Sequence, residues 1–138
     1  MITAGLTTSF KYQLLLGVHD FSVDTIKIAL YLSSASLDAN TTVYTTSGET
    51  SGTGYTAGGV TATSVVVVSS NGVAFVSFDN PTWSGATFTT QGALIYNASK
   101  ANKSIGVLNF GLVQSMTSQG FQILMPSASS DSALIRIQ

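Results

Sequence analysis

The sequence predicts an all-β domain, a jelly-roll or Greek-key β-sandwich of about eight short strands with one short helix near the N-terminus. Three observations predict it. Alternating or β-branched apolar segments recur along the chain at intervals of roughly 8–15 residues, and Gly, Asn, Pro and Ser turn signals separate them. Only the stretch from Ser9 to Phe21 carries a helical period. Finally, the chain has 138 residues, 44% of them hydrophobic and 8% charged. That excludes a disordered chain and suits one domain with one core, built without disulfide or metal staples.

Residues 1–138 are therefore expected to form a single sandwich domain. Met1–Ser9 is small and polar and reads as a flexible arm. In SFKYQLLLGVHDF, Ser9 is a suitable N-cap and Gly17 a helix stop, which predicts two to three helical turns. From Thr25 the period becomes two. Ile26, Ile28, Leu30 and Leu32 share one face and Lys27, Ala29 and Tyr31 the other, which reads as a half-buried strand. Thr41–Thr45 is a short β-branched strand, and Val60–Ser69 another. Asn71-Gly72 is a hairpin turn that returns the chain as Val73–Asp79. Asn80-Pro81 breaks that strand. Ala86–Thr90, Gly92–Asn97, Ser104–Phe110, Phe121–Met125 and Ala133–Ile137 complete the set, with Val113–Ser118 ambiguous.

Residue chemistry excludes several functions. Five cations (Lys11, Lys27, Lys100, Lys103 and Arg136) against six acids give a net charge of −1, too little positive charge to displace counterions from nucleic acid. No cysteine is present, so no thiolate nucleophile or zinc thiolate site can form. The longest apolar runs, Leu14–Leu16 and Val65–Val68, are too short to span a bilayer, and the N-terminus has no basic region of a signal peptide. Synthesis in a cytoplasm is expected. Asn40, Asn97 and Asn102 open chance matches to the glycosylation pattern in a Ser/Thr/Asn-rich chain.

No catalytic residue, cofactor or metal is expected. His19 is the single histidine, and its neighbour Asp20 cannot face it as a triad acid would. A histidine there reads as a helix-terminal residue favoured by the helix dipole. Asp20, Asp24, Asp38, Asp79 and Asp131 fall at strand ends or turns, where acids cap backbone, and not in the facing pair a glycosidase needs. No calcium loop occurs, and one histidine without cysteine does not make a transition-metal site.

The distinctive stretch is Tyr44–Gly59, YTTSGETSGTGYTAGG. It lacks the Gly-Lys-Ser/Thr of a phosphate loop. Its tyrosines pair an apolar ring with a polar tip, a combination suited to interfaces, or alternatively to pinning the loop to its own domain. The candidate protein-contact residues are Tyr44, Glu49, Tyr55, Trp83, Lys100 and Lys103, the lysines lying in the turn SKANKS. An alternative is a carbohydrate- or host-surface-binding jelly-roll module, with Trp83 and Tyr44, Tyr55 or Tyr96 as a stacking platform.

HDF (19–21), IKIALY (26–31), TTVYTTSGETSGTGYTAGG (41–59), WSGATFTTQGALIYN (83–97) and VLNFG (107–111) together resemble the capsid cement or decoration proteins of tailed bacteriophages. The resemblance runs from about His19 to Arg136 and rests on turn and strand motifs. It implies a jelly-roll sandwich on the exterior of an assembled icosahedral capsid, often as a homodimer, with no enzymatic activity. The implied partners are the major capsid protein and a second copy, and the implied location is the virion.

Overall fold

The structure, a computed structural model, describes residues 1–138. It is an all-β sandwich with one short helix, in the order β1 (Gly5–Leu6), α1 (Thr8–Leu15), β2 (Ile26–Tyr31), β3 (Val60–Thr61), β4 (Val66–Ser70), β5 (Val73–Ser77), β6 (Thr82–Asn97), β7 (Lys103–Gln122) and β8 (Ile135–Ile137). Five strands form one sheet in the order β1-β7-β6-β2-β3, and three form the other in the order β4-β5-β8. All strand pairs are antiparallel. A Greek key would set three hairpin-linked strands beside a returning fourth. This five-plus-three order does not contain that arrangement, so the jelly-roll expectation is not seen in the pairing.

The helix starts at Thr7 rather than Ser9. The Thr7 hydroxyl accepts from the Phe10 N–H at 3.3 Å and also bonds the Ser104 hydroxyl of β7 at 2.9 Å. Burial of Thr7 against the sheet thus chooses between two residues that could each cap. The helix stops as expected. Gly17 (φ 71°) donates to Leu14 O and Val18 donates to Gln13 O, the paired bonds of a Schellman end.

Several strand expectations are corrected. Thr41–Thr45 is no strand; only Val43 forms an isolated bridge, to Lys103. Val60–Ser69 is two strands in different sheets, divided near Ser64, whose φ is 56°. The two segments Ala86–Thr90 and Gly92–Asn97 lie in a single 16-residue strand. Ser104–Phe110, the ambiguous Val113–Ser118 and the first two residues of Phe121–Met125 lie in a single 20-residue strand, beyond which Ile123–Met125 is not strand. Bulges hide this continuity from the sequence. Thr90 pairs Gln114 and Gly92 pairs Asn109, so Gln91 alone faces Phe110–Val113. Each extra residue shifts the inside–outside alternation and breaks the period of two. Asn71-Gly72 is the expected hairpin turn, with φ of 53° and 77°, the signs of a type I′ turn.

The N-terminal segment is docked, not free. Ile2 is buried, its carbonyl accepts from Asn109 Nδ2 at 2.8 Å, and Thr3 N donates to Leu37 O at 2.8 Å.

The expected half-buried strand β2 is buried on both faces. Ile26, Ile28 and Leu30 join Phe88, Ile95 and Ile105 in the main core, which Val76 and Ile135 of the small sheet and Phe10 of α1 close. Ala29 and Tyr31 join Ile2, Leu37, Leu94 and Tyr96 in a second cluster. The second face is covered by the N-terminal segment and by part of the long connection between β2 and β3. Each large side chain sealed in this way contributes about 1.5–3 kcal/mol of transfer free energy.

Candidate functional site

The glycine-rich connection runs along the β2 edge. Leu32 N donates to Gly48 O and Thr50 N donates to Leu30 O, so the chain at Glu49 extends the sheet beside β2. It then bridges Thr53 to Thr87 on β6 before returning to β3. This route brings Glu49 to the sheet edge, between the two apolar clusters.

There the Glu49 carboxylate is a clasp. Oε2 accepts from the Tyr44 hydroxyl at 2.6 Å. Oε1 accepts from the Tyr55 hydroxyl at 2.6 Å and from Gly58 N at 2.7 Å. Tyr44 packs against the second cluster, stacked on Tyr96 at 4.8 Å, whereas Tyr55 packs against the main core, edge-on to Phe88 at 5.8 Å. One carboxylate therefore ties side chains from both faces of the sheet. The Tyr55 oxygen also accepts from Leu30 N at 3.0 Å, within β2 itself. Two further tyrosines close the knot: Tyr31 donates to Thr45 O at 2.6 Å and Tyr96 to Gly58 O at 2.7 Å.

The electrostatics follow from this packing. Burial pushes the pKa values of Tyr31, Tyr44, Tyr55 and Tyr96 above the ordinary phenol range, and the negative charge of Glu49 pushes them further up in all four. These phenols are donors held to acceptors, not poised acids. Gly59 is where the returning chain passes closest to β2. Its φ is 78°, and a Cβ there would collide with the Ile28 carbonyl.

Of the six predicted contact residues, the structure thus brings together Tyr44, Glu49 and Tyr55, with their polar groups turned to one another. Trp83 is elsewhere and only 3% exposed, a core residue 5.7 Å from Phe121. Its Nε1 is buried with no hydrogen-bond partner. A stacking platform that includes Trp83 is therefore not on the surface. Lys100 lies in the β6–β7 turn with Nζ 3.4 Å from Asp24 Oδ1, and Lys103 opens β7 opposite Asn97. Tyr31 and Gly58 carry no signal of a site in the sequence, and Tyr96 only that of a stacking aromatic. The one sequence signal for the two tyrosines as a pair is their place near the ends of the apolar runs IKIALY and ALIYN.

A second polar knot holds His19. Its Nε2 meets Gln13 Oε1 at 2.8 Å and its Nδ1 meets Asn97 Nδ2 at 3.0 Å, which makes Nε2 the protonated nitrogen. Asn97 Nδ2 also donates to Asp24 Oδ2 at 2.8 Å. The ring packs 5.0 Å from Phe10. Burial pushes the His19 pKa below the usual histidine value, against the pull of Asp24. The histidine expected to sit at the helix end, favoured by its dipole, is instead a buried ring bonded to two side-chain amides.

The surface carries apolar side chains beyond these knots. Leu112, on the β7 bulge, is 75% exposed and Leu124 is 76% exposed. Leu124 also lines a shallow cavity of about 220 Å³ together with Phe110, Phe121 and Ile123. No helix is long and apolar enough to cross a membrane. No family model, curated protein or solved structure matches the chain.

Proposed function

We propose that this protein is a non-catalytic structural component of a tailed-phage virion, which binds the outside of the assembled capsid and cements neighbouring copies of the major capsid protein. The observation that carries the reading is its surface. Large apolar side chains, Leu112, Val113 and Leu124 among them, stand exposed on a chain in which only 8% of residues are charged. Exposed apolar groups of this kind suit a protein partner, and a low charge offers little repulsion between closely packed copies. The internal arrangement also fits a passive staple. The Glu49 clasp uses its polar atoms to hold the connection rigid, and a rigid contact surface loses less entropy on binding. A subunit that binds only the assembled shell stabilises that shell by mass action. In this reading the exposed backbone and small side chains of Ser51–Gly54, together with Lys100 and Lys103, supply contacts, and the loop tyrosines support them from beneath.

The test is to add purified protein to mature shells assembled without it and to measure bound copies per particle. Saturable binding that protects shells against heat is expected, with weaker binding by Leu112→Ser and Leu124→Ser. Absence of saturable binding removes the proposal. The glycan-binding alternative has lost its central aromatic, because Trp83 is inside the core.

A further inference from the structure

Sheets end in open edges, and folded proteins guard them with short strands, charges, prolines or bulges. Most edges here are guarded. β1 and β3 are two residues each, and β8 is three residues with Arg136 at its centre. The outer side of β7 is broken by the four-residue bulge Phe110–Val113 and again by the register shift between Met116 and Gln119, where Ser118 has a φ of 50°. β4 is the exception. It is five residues long, every residue is exposed, and it pairs only with β5. No charged residue and no proline lies anywhere from Ser64 to Phe78. Three valines in succession, Val66, Val67 and Val68, stand in water on a strand with one side unpaired.

The hairpin register says which backbone groups are free. Ser70 and Val73 flank a two-residue turn, so they exchange both ladder bonds, and by alternation Val68 and Val66 also turn to β5. Val67 and Ser69 then direct their N–H and C=O groups outward. We infer that this edge is completed by β4 of a second copy, antiparallel across a two-fold axis at Val67, which joins the two small sheets into one continuous six-stranded sheet. The occupant is a strand because only a strand satisfies that row of donors and acceptors. It is a second copy because the edge is self-complementary. In this register Val67 meets Val67 of the other copy, Val66 meets Val68, and Ser69 meets Val65. No charge opposes any of these pairs, and each side gains the β-branched partners that stabilise a sheet. An isologous contact of this kind closes on itself and leaves the guarded edges outward.

The inference deepens the homodimer within the proposed function, and it is separable from capsid binding. Light scattering after size exclusion, over a concentration series, is expected to give twice the 14.3 kDa chain mass. Val67→Lys places two like charges at the axis and is expected to return the chain mass while keeping the wild-type circular dichroism. Should that variant not fold, Ser69→Lys perturbs the contact differently, setting an unpaired charge against Val65 of the other copy at both ends of the paired edge. The chain has no cysteine. A single Val67→Cys is therefore expected to be cross-linked into a covalent dimer by a short bismaleimide, and Leu112→Cys is not. A wild-type monomer throughout the series, a dimer undiminished in both lysine variants, or cross-linking at Leu112 and not Val67 each overturns the inference. Shell binding by a monomer would overturn the edge pairing and leave cementing intact, and a β4-paired dimer that ignores shells would do the reverse.

Discussion

Removal of the Glu49 carboxylate tests whether the glycine-rich connection is held by chemistry or merely laid on the sheet. Glu49 accepts from Tyr44, Tyr55 and Gly58 at 2.6, 2.6 and 2.7 Å. A hydrogen bond to a charged group contributes about 1.5–3 kcal/mol, and a half-buried site recovers part of that from water when the acceptor is lost. Glu49→Ala strands all three donors, so a loss of about 3 kcal/mol is expected. Glu49→Gln keeps the shape. Its carbonyl oxygen can still accept from Tyr55 and Gly58, and its amide can donate to the Tyr44 oxygen, so the loss is about 1 kcal/mol. In a chain of this size the alanine variant should melt about 12 °C lower. Urea unfolding is the assay, with an unchanged m-value required so that the midpoint shift reports stability alone. Equal effects of alanine and glutamine, or losses under about 0.5 kcal/mol for both, would refute the clasp, since ordinary surface substitutions cost that little.

Alkaline pH attacks the same knot. Tyr31, Tyr44, Tyr55 and Tyr96 hold their protons more tightly folded than unfolded, so their contribution is complete below the ordinary phenol value of about 10 and is lost as pH rises above it. In a Tyr12→Phe background, phenolate absorbance should appear together with loss of circular dichroism and not before it. His19 acts on the acid side. Its folded value lies below its unfolded one, so stability is complete above about 6.5 and declines as pH falls through it. His19→Gln should flatten that part of a plot of urea midpoint against pH. Gly59 and Gly72 make a matched pair with φ of 78° and 77°. Gly72→Ala meets open space and should cost about 1–2 kcal/mol from backbone strain alone, whereas Gly59→Ala adds a collision with the Ile28 carbonyl and should cost well over about 3 kcal/mol, read from urea midpoints.

Local chemistry made some elements legible in the sequence. The all-β class, the helix stop at Gly17, the Asn71-Gly72 hairpin and the apolar stripe of Ile26, Ile28 and Leu30 each depend on residues within a few positions of one another. Turn geometry and side-chain alternation are properties of the chain's near neighbours, so a sequence carries them openly. Tertiary structure decided the rest. Thr7 caps α1 because Ser104, 97 residues away, meets it. The lengths of β6 and β7 are hidden by bulges that shift the period. Val60–Ser69 reads as one β-branched run because propensity says nothing about which sheet a residue joins. Trp83 reads as a surface aromatic, but its partners in the core come from remote strands.

The glycine-rich connection shows the division most clearly. Composition alone marks Tyr44–Gly59 as the unusual stretch, with Tyr44, Glu49 and Tyr55 within it. Their joining into one clasp depends on Tyr96, Leu30 and Gly58, which reach the same place only once β2 and β6 have paired. Tyr44, Glu49 and Tyr55 are thus readable from the sequence as candidates in an unusual stretch, whereas Tyr31 and Gly58 are not. Whom the three bond is not readable, because hydrogen-bond partners are set by the three-dimensional path of the backbone and not by the order of side chains along it.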